Sequence, residues 1–151
     1  MQKFAILPVT LLLYACTGMP EPDGDWIEIP LADHTWSGTE IPLKQGEYEI
    51  TVEGGSALEY KIGLREGASI VYSLVADLAD PSLLDIEFHG HTERAGDAPG
   101  TVMFYTIHND GQEQGVLTAP FTGIHGWYLN NHSEDDVVVT VRIAGFYEEL
   151  E

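Results

Sequence analysis

The chain is short of cations and has a single cysteine. Its 151 residues include six Lys and Arg against 25 Asp and Glu, which gives a formal net charge of −19. Because binding to nucleic acid depends on clustered cations, this balance argues against a nucleic-acid partner. With Cys16 as the one cysteine, an intrachain disulfide is excluded. Metal cations and basic proteins are the partners that such a charge favours.

The N-terminus lacks an apolar run long enough to cross a bilayer as a helix. The run at residues 4–13 has about ten residues, which is typical of a secretory signal peptide. Residues 13–16, Leu-Tyr-Ala-Cys, resemble the lipobox of bacterial lipoproteins, from which Tyr14 is a departure. The resemblance implies cleavage before Cys16, a lipid on its sulfur and, because Thr17 is not Asp, an outer-membrane anchor facing the periplasm. An ordinary secretory signal with an incidental cysteine is the alternative.

The chain also lacks any sustained helical period after this segment. From residue 47 onward apolar and polar residues alternate with a period of two, as at 47–53, 58–65, 84–89 and 137–143. Gly-rich turns separate the runs. The pattern predicts an all-β fold, an antiparallel β-sandwich of jelly-roll type with about eight strands and little or no helix. A barrel with the same number of strands is the alternative.

Composition divides the chain into four predicted parts. Residues 1–15 form the lipoprotein signal peptide, and residues 16–40 form the lipidated N-terminus with an acidic tether rich in Pro and Gly. Residues 41–147 form the β-sandwich, and residues 148–151 form an acidic tail.

Short motifs rich in Gly and aromatic residues run through the second half, at 64–68, 86–90, 115–121, 123–128, 131, 139–141 and 145–147. Over about residues 57–147 they resemble the soluble domain of a bacterial family described as transmembrane anchor proteins. In that family a membrane helix usually precedes the domain, whereas here a lipobox takes its place. The strand pattern is more distantly similar to the GOLD domain of Golgi transport proteins. The resemblance implies a β-sandwich used for protein contacts, and family members near metal-resistance genes favour a role with metals.

A His-x-His motif in one predicted strand indicates a possible metal site. His89 and His91 are two residues apart, so they face the same side of a regular strand, together with Asp85 and Glu87. Two such imidazoles chelate Zn²⁺ or Cu²⁺ when a third ligand is available. The sequence predicts that His89, His91 and His125 form this site, with Asp85 or Glu87 as auxiliary ligands. A polar solvent-facing surface broken at Gly90 is the alternative.

The run His125-Gly126-Trp127-Tyr128 indicates a possible binding surface. Trp127 and Tyr128 point to opposite faces of a strand, so one of them lies toward the core and the other toward solvent. The predicted surface has Trp127 as its anchor, with His125 and Tyr128 beside it. The alternative is a structural corner in which the Trp127 side chain fills the sandwich.

Common enzyme motifs are missing from the chain. It has no Gly-x-Ser-x-Gly elbow, no His-Glu-x-x-His pair, no P-loop and no dinucleotide fingerprint. The sequence therefore predicts a lipoprotein of the bacterial envelope that is not an enzyme and whose domain is a periplasmic binding or adaptor module for another envelope protein. A periplasmic Zn- or Cu-binding protein is the alternative, and a hydrolase with a carboxylate pair formed across strands ranks below both.

Overall fold

The computed structural model describes residues 30, 32, 38–93, 96 and 100–150. The predicted signal peptide, Cys16 and most of the predicted tether lie outside these residues. Within them, the chain forms a 3₁₀ turn at Pro81–Leu83 and nine strands. The strands are β1 (Lys44–Val52), β2 (Ala57–Leu64), β3 (Ser69–Asp77), β4 (Leu84–His91), β5 (Val102–His108), β6 (Gln112–Thr118), β7 (Gly123–Asn131), β8 (Val137–Gly145) and β9 (Glu148–Glu149). No helix in the described ranges is long and apolar enough to cross a membrane.

The strands form two antiparallel sheets that pack face to face. One sheet has the order β1-β8-β3-β6 and the other has the order β5-β4-β7-β2-β9. The prediction of an all-β antiparallel sandwich is confirmed, and the two separate sheets exclude the barrel alternative. Each sheet mixes strands that are far apart in the chain, so its pairings are long-range.

The period-two pattern places one face of each strand in the core. In β4 the residues Leu84, Ile86, Phe88 and Gly90 are buried, while the residue that follows each of them is partly exposed. Strand β8 repeats this pattern, with Val137, Val139, Val141, Ile143 and Gly145 buried. The alternation arises because successive side chains of a strand point to opposite faces of the sheet.

Trp127 is at the centre of the core. Its side chain is fully buried and stacks on Phe88 with ring centroids 4.5 Å apart. The ring of Tyr72, from β3 in the opposite sheet, meets it edge-on at 5.0 Å. Trp127 therefore joins the two sheets, as the structural alternative in the sequence analysis expected. It does not lie on a surface where it could anchor a partner.

Two strand boundaries differ from the sequence prediction. Strand β6 begins at Gln112, in a polar run at 112–114 that shows no apolar alternation and therefore gives no strand signal in the sequence. Glu148 and Glu149, predicted as part of an acidic tail, form the short strand β9, which pairs with Gly63 and Ile62 of β2. The sheet therefore extends beyond residue 147.

The buried amide of Asn131 holds the loop between β7 and β8. Its Nδ2 donates to the carbonyl oxygens of Val52 at 3.0 Å and Asp135 at 2.8 Å. Its Oδ1 accepts from the backbone N–H and the hydroxyl of Ser133 at 2.9 and 2.7 Å. The amide thus satisfies backbone groups at the end of β1 and within the loop, which explains why an Asn closes this strand.

Candidate metal centre

The outer face of β4 carries the four polar residues that the sequence analysis placed on one side. Asp85, Glu87, His89 and His91 alternate with the buried residues of the strand and point away from the core. Among the three of them that make ionic contacts, Asp85, Glu87 and His89, the side chain of His89 is the most buried, at 12% exposed. The structure therefore brings His89, His91 and Glu87 together on one face.

Three side chains on this face converge as a group that fits a metal ion. Glu59, His89 and His91 each offer one ligand atom, and these atoms lie within 4.8 Å of one another. Glu59 Oε1 lies 3.1 Å from His89 Nε2. Ligands of tetrahedral Zn²⁺ at bond lengths of about 2.1 Å are separated by roughly 3.4 Å. The Glu59–His89 spacing is thus close to that between two zinc ligands, and the third ligand atom lies within 4.8 Å of both.

Glu59 reaches this group across an intervening strand. It lies on β2, and β7 separates β2 from β4 in the sheet. The β7 residue that pairs with both His89 and Lys61 is Gly126, which has no side chain to keep Glu59 and His89 apart. A Cβ at Gly126 would overlap the backbone carbonyl of Tyr60, so the backbone also requires glycine there.

The other ring nitrogens of the two histidines face acceptors. His89 Nδ1 lies 3.2 Å from Glu87 Oε1, without the geometry of a hydrogen bond, and His91 Nδ1 lies 3.1 Å from the carbonyl oxygen of Thr92. Metal-bound histidines usually direct their second nitrogen to a carboxylate or carbonyl, which fixes the tautomer. Both Nε2 atoms are thereby left as ligands. Glu87, predicted as an auxiliary ligand, instead lies beside Nδ1 of His89, the ring nitrogen that does not face Glu59.

Two buried polar atoms of this group lack a hydrogen bond within the described part of the chain. They are Glu59 Oε1 and His89 Nδ1. Because buried polar atoms are nearly always satisfied, a cation placed between Glu59 and His89 would account for the first of them. A protonated His89 that bridges Glu59 and Glu87 is the other state that these distances allow.

The ion pair with Lys61 limits how the Glu59 carboxylate can bind a metal ion. Lys61 Nζ lies 3.0 Å from Glu59 Oε2, on the same face of β2. The ammonium group occupies one carboxylate oxygen and leaves Oε1 toward His89. Glu59 is therefore arranged as a monodentate ligand, and Lys61 opposes cation binding by its charge.

Asp85 and His125 do not join the group. Asp85 lies further along β4, where its Oδ2 contacts His132 Nε2 at 2.7 Å in an exposed pair. His125 is on the opposite face of the sheet from His89, because it pairs with Gly90 and points into the core. The prediction of His125 as a ligand therefore does not match its position.

Both ring nitrogens of His125 are occupied by the protein. Nε2 lies 3.2 Å from the carbonyl oxygen of Phe121, and Nδ1 lies 2.9 Å from the Tyr105 hydroxyl. A carbonyl only accepts, so Nε2 carries the proton and Nδ1 accepts from Tyr105. Burial lowers the pKa of His125, which keeps the ring neutral. A side chain at Gly90 would overlap this ring.

Tyr128 is the exposed member of the predicted binding surface. Its side chain points outward from β7, where it pairs with Glu59 on one side and Glu87 on the other. The predicted surface is thus divided between two faces, with Trp127 and His125 in the core and Tyr128 beside the metal-ligand group.

A second cluster, of His108, Asp110 and Glu113, lies between the edge strands β5 and β6. His108 contacts Asp110 through Nδ1 at 2.6 Å and Glu113 through Nε2 at 3.4 Å. The buried Glu113 accepts from the hydroxyls of Tyr72 at 2.6 Å and Thr106 at 2.8 Å, which links the two sheets. The two carboxylates face opposite sides of the His108 ring, so they do not converge on a common cation.

Comparisons with known proteins find no matching family and only solved structures of low similarity. No family model and no curated protein matches the chain. Among solved structures it is similar to a de novo designed double-stranded β-helix, with 19% identity over 65% of this chain and 97% of that one and a TM-score of 0.35. It is also similar to PliG of Aeromonas hydrophila, a periplasmic inhibitor of g-type lysozyme, with 15% identity over 73% and 91% of the chains and a TM-score of 0.41. Because both TM-scores are low, the fold is assigned from the strands and sheets of this protein alone.

Proposed function

We propose that this chain is a lipoprotein of the bacterial envelope whose β-sandwich is a non-catalytic binding module for a Zn²⁺ or Cu²⁺ ion. The ligands are Glu59, His89 and His91. The lipid on Cys16 holds the domain at the outer membrane, facing the periplasm. The observation that carries the proposal is the convergence of three ligand atoms within 4.8 Å on the outer face of one sheet.

The chemistry of the ligands supports these two metals. Imidazole nitrogens suit Zn²⁺ and Cu²⁺, and one carboxylate completes a set of three protein ligands with a further position open to solvent. The hard cations Ca²⁺ and Mg²⁺ prefer all-oxygen sites. The net charge of −19 raises the local concentration of any cation near the domain.

Calorimetric titration of the purified protein with Zn²⁺ and with Cu²⁺ tests the proposal. We expect one equivalent to bind at micromolar affinity or tighter, and His89→Ala or His91→Ala to abolish this binding. Glu87→Gln removes only the group behind His89, so we expect a 10- to 100-fold weaker affinity. Lys61→Met removes the competing charge and should tighten binding.

His132→Ala is the matched control, because His132 is a surface histidine with a carboxylate partner outside the group. It should bind metal as the unchanged protein does. Binding that is absent, or that is lost equally in the control, would refute the metal site.

The anchor has its own test. The unchanged protein should partition into the detergent phase of a Triton X-114 extract, and Cys16→Ser should move it to the aqueous phase. Equal partitioning of the two proteins would contradict lipidation at Cys16.

A second function, contact with another envelope protein, is favoured by a different surface. Trp127 is unavailable for it, whereas strand β5 has several exposed apolar side chains.

A further inference from the structure

Strand β5 is an edge strand with an exposed apolar row. Its ladder partner is β4, and no strand in the described ranges pairs with its other side. Val102, Phe104 and Ile107 are 50%, 53% and 67% exposed. They pair with His91, His89 and Glu87, so they face outward with that row of β4.

A bulge in β5 produces this row. The register with β4 shifts between Phe88 and His89, which leaves Tyr105 without a direct partner. Phe104 and Ile107 are three residues apart and would face opposite sides of a regular strand. The extra residue turns both outward.

The charge distribution sets β5 apart from the other three edge strands. Those strands carry the charged residues Lys44, Glu47 and Glu49 in β1, the buried, inward-facing Glu113 in β6, and Glu148 and Glu149 in β9. Apart from His108 at its end, β5 has no Asp, Glu, Lys, Arg or His. Because charged side chains on edge strands, including inward-pointing ones, hinder pairing with other chains, β5 is the edge most open to pairing among the described strands.

The acidic side chains around β5 indicate the charge that a partner segment would carry. Glu87 pairs with Ile107, and Asp110 follows the strand with its side chain 68% exposed. Glu93 is exposed beyond the other end of the row. Acidic groups therefore lie beside and beyond an uncharged apolar strand. Two copies of a chain with a net charge of −19 repel each other, which disfavours self-pairing.

We propose that β5 accepts an added strand from another protein, namely an extended segment with alternating apolar residues flanked by Lys or Arg. Main-chain hydrogen bonds along the free edge supply the affinity. The outward row selects apolar side chains, and the acidic groups select the flanking cations. This surface uses none of the proposed metal ligands, although the Phe104 ring lies 6.0 Å from that of His89; peptide binding and metal titration test the two proposals separately.

A designed peptide, Lys-Lys-Val-Thr-Val-Thr-Val-Thr-Lys-Lys, is the probe. We expect it to bind the full protein and to protect the amides of residues 102–108 from hydrogen exchange. Replacing its Lys residues with Glu should weaken binding at least tenfold. Methylating alternate backbone nitrogens on its pairing edge should abolish binding, because a side-chain contact alone would survive that change.

Protein variants locate the contact. Phe104→Thr and Ile107→Thr keep β-forming residues but remove the apolar row, and each should weaken peptide binding at least tenfold. Val116→Thr is the matched control, because Val116 is an exposed valine on the edge strand β6. It should bind the peptide unchanged. Thermal unfolding of each variant verifies that it is folded.

Three results would overturn the proposal. One is the absence of protection at residues 102–108 at millimolar peptide. Another is binding that Phe104→Thr and Ile107→Thr leave intact. The third is a concentration-dependent dimer, seen by sedimentation and lost in these variants, which would make a second copy the occupant of β5.

Discussion

Removing the Asn131 side chain should cost far more stability than removing that of its neighbour. Asn131 is buried, and its amide makes four hydrogen bonds of 2.7 to 3.0 Å to Val52, Ser133 and Asp135. At a net value of about 1 kcal/mol each, Asn131→Ala should lower the free energy of unfolding by about 3–4 kcal/mol. Asn130 lies on the partly exposed outer face with one side-chain contact, to His132. Asn130→Ala should cost less than about 1 kcal/mol.

Urea unfolding, followed by tryptophan fluorescence, measures both variants. A loss below about 1 kcal/mol for Asn131→Ala would refute the reasoning, because it would mean that water replaces the amide in the loop. Asn131→Asp gives a second test, since a carboxylate accepts from Ser133 but cannot donate to the carbonyls of Val52 and Asp135. This variant should be at least as destabilised as Asn131→Ala at pH 7. It should regain stability relative to Asn131→Ala at pH 4, where a protonated carboxyl can donate.

The remaining predictions concern the core and the sheet. Burial lowers the pKa of His125 in the folded protein. As the pH falls through about 6.5, this histidine is therefore protonated in the unfolded chain but stays neutral in the folded chain. Stability should therefore fall as pH decreases below about 6.5, and His125→Gln should make this fall shallower in pH-dependent urea unfolding. Trp127→Ala should cost about 3–5 kcal/mol in urea unfolding followed by circular dichroism, while Tyr128→Ser on the outer face should cost less than about 1 kcal/mol. Gly126→Ala should lower the melting temperature, because its Cβ overlaps a neighbouring carbonyl; an unchanged melting temperature would contradict this packing.

Local alternation predicted the strands and their faces well. The outward row of β4 follows directly from the period of two, since each residue's side depends only on its neighbours in the chain. The same reasoning predicted that Trp127 and Tyr128 point to opposite faces, and the structural alternative for Trp127 turned out to be right. It failed at β6 and β9, where polar residues form strands because tertiary pairing supplies their hydrogen bonds.

The candidate metal site needed more than local pattern. His89 and His91 were found from their spacing, but Glu59 was missed because it lies on β2, with β7 between it and β4. The role of Gly126 in letting Glu59 and His89 meet depends on its register with both strands. His125 was assigned to the wrong face because two residues on different strands share a face only in a particular register.

The amino-acid sequence by itself determined the all-β class, the acidic surface and the side of each strand that faces the core, because these follow from composition and from contacts between near neighbours. Only the tertiary structure decided that Glu59 joins His89 and His91, that His125 lies in the core, and that β5 is an open edge. These features depend on strand order and register. Both are decided by hydrogen bonds and packing between segments distant in the chain, and no local period records them.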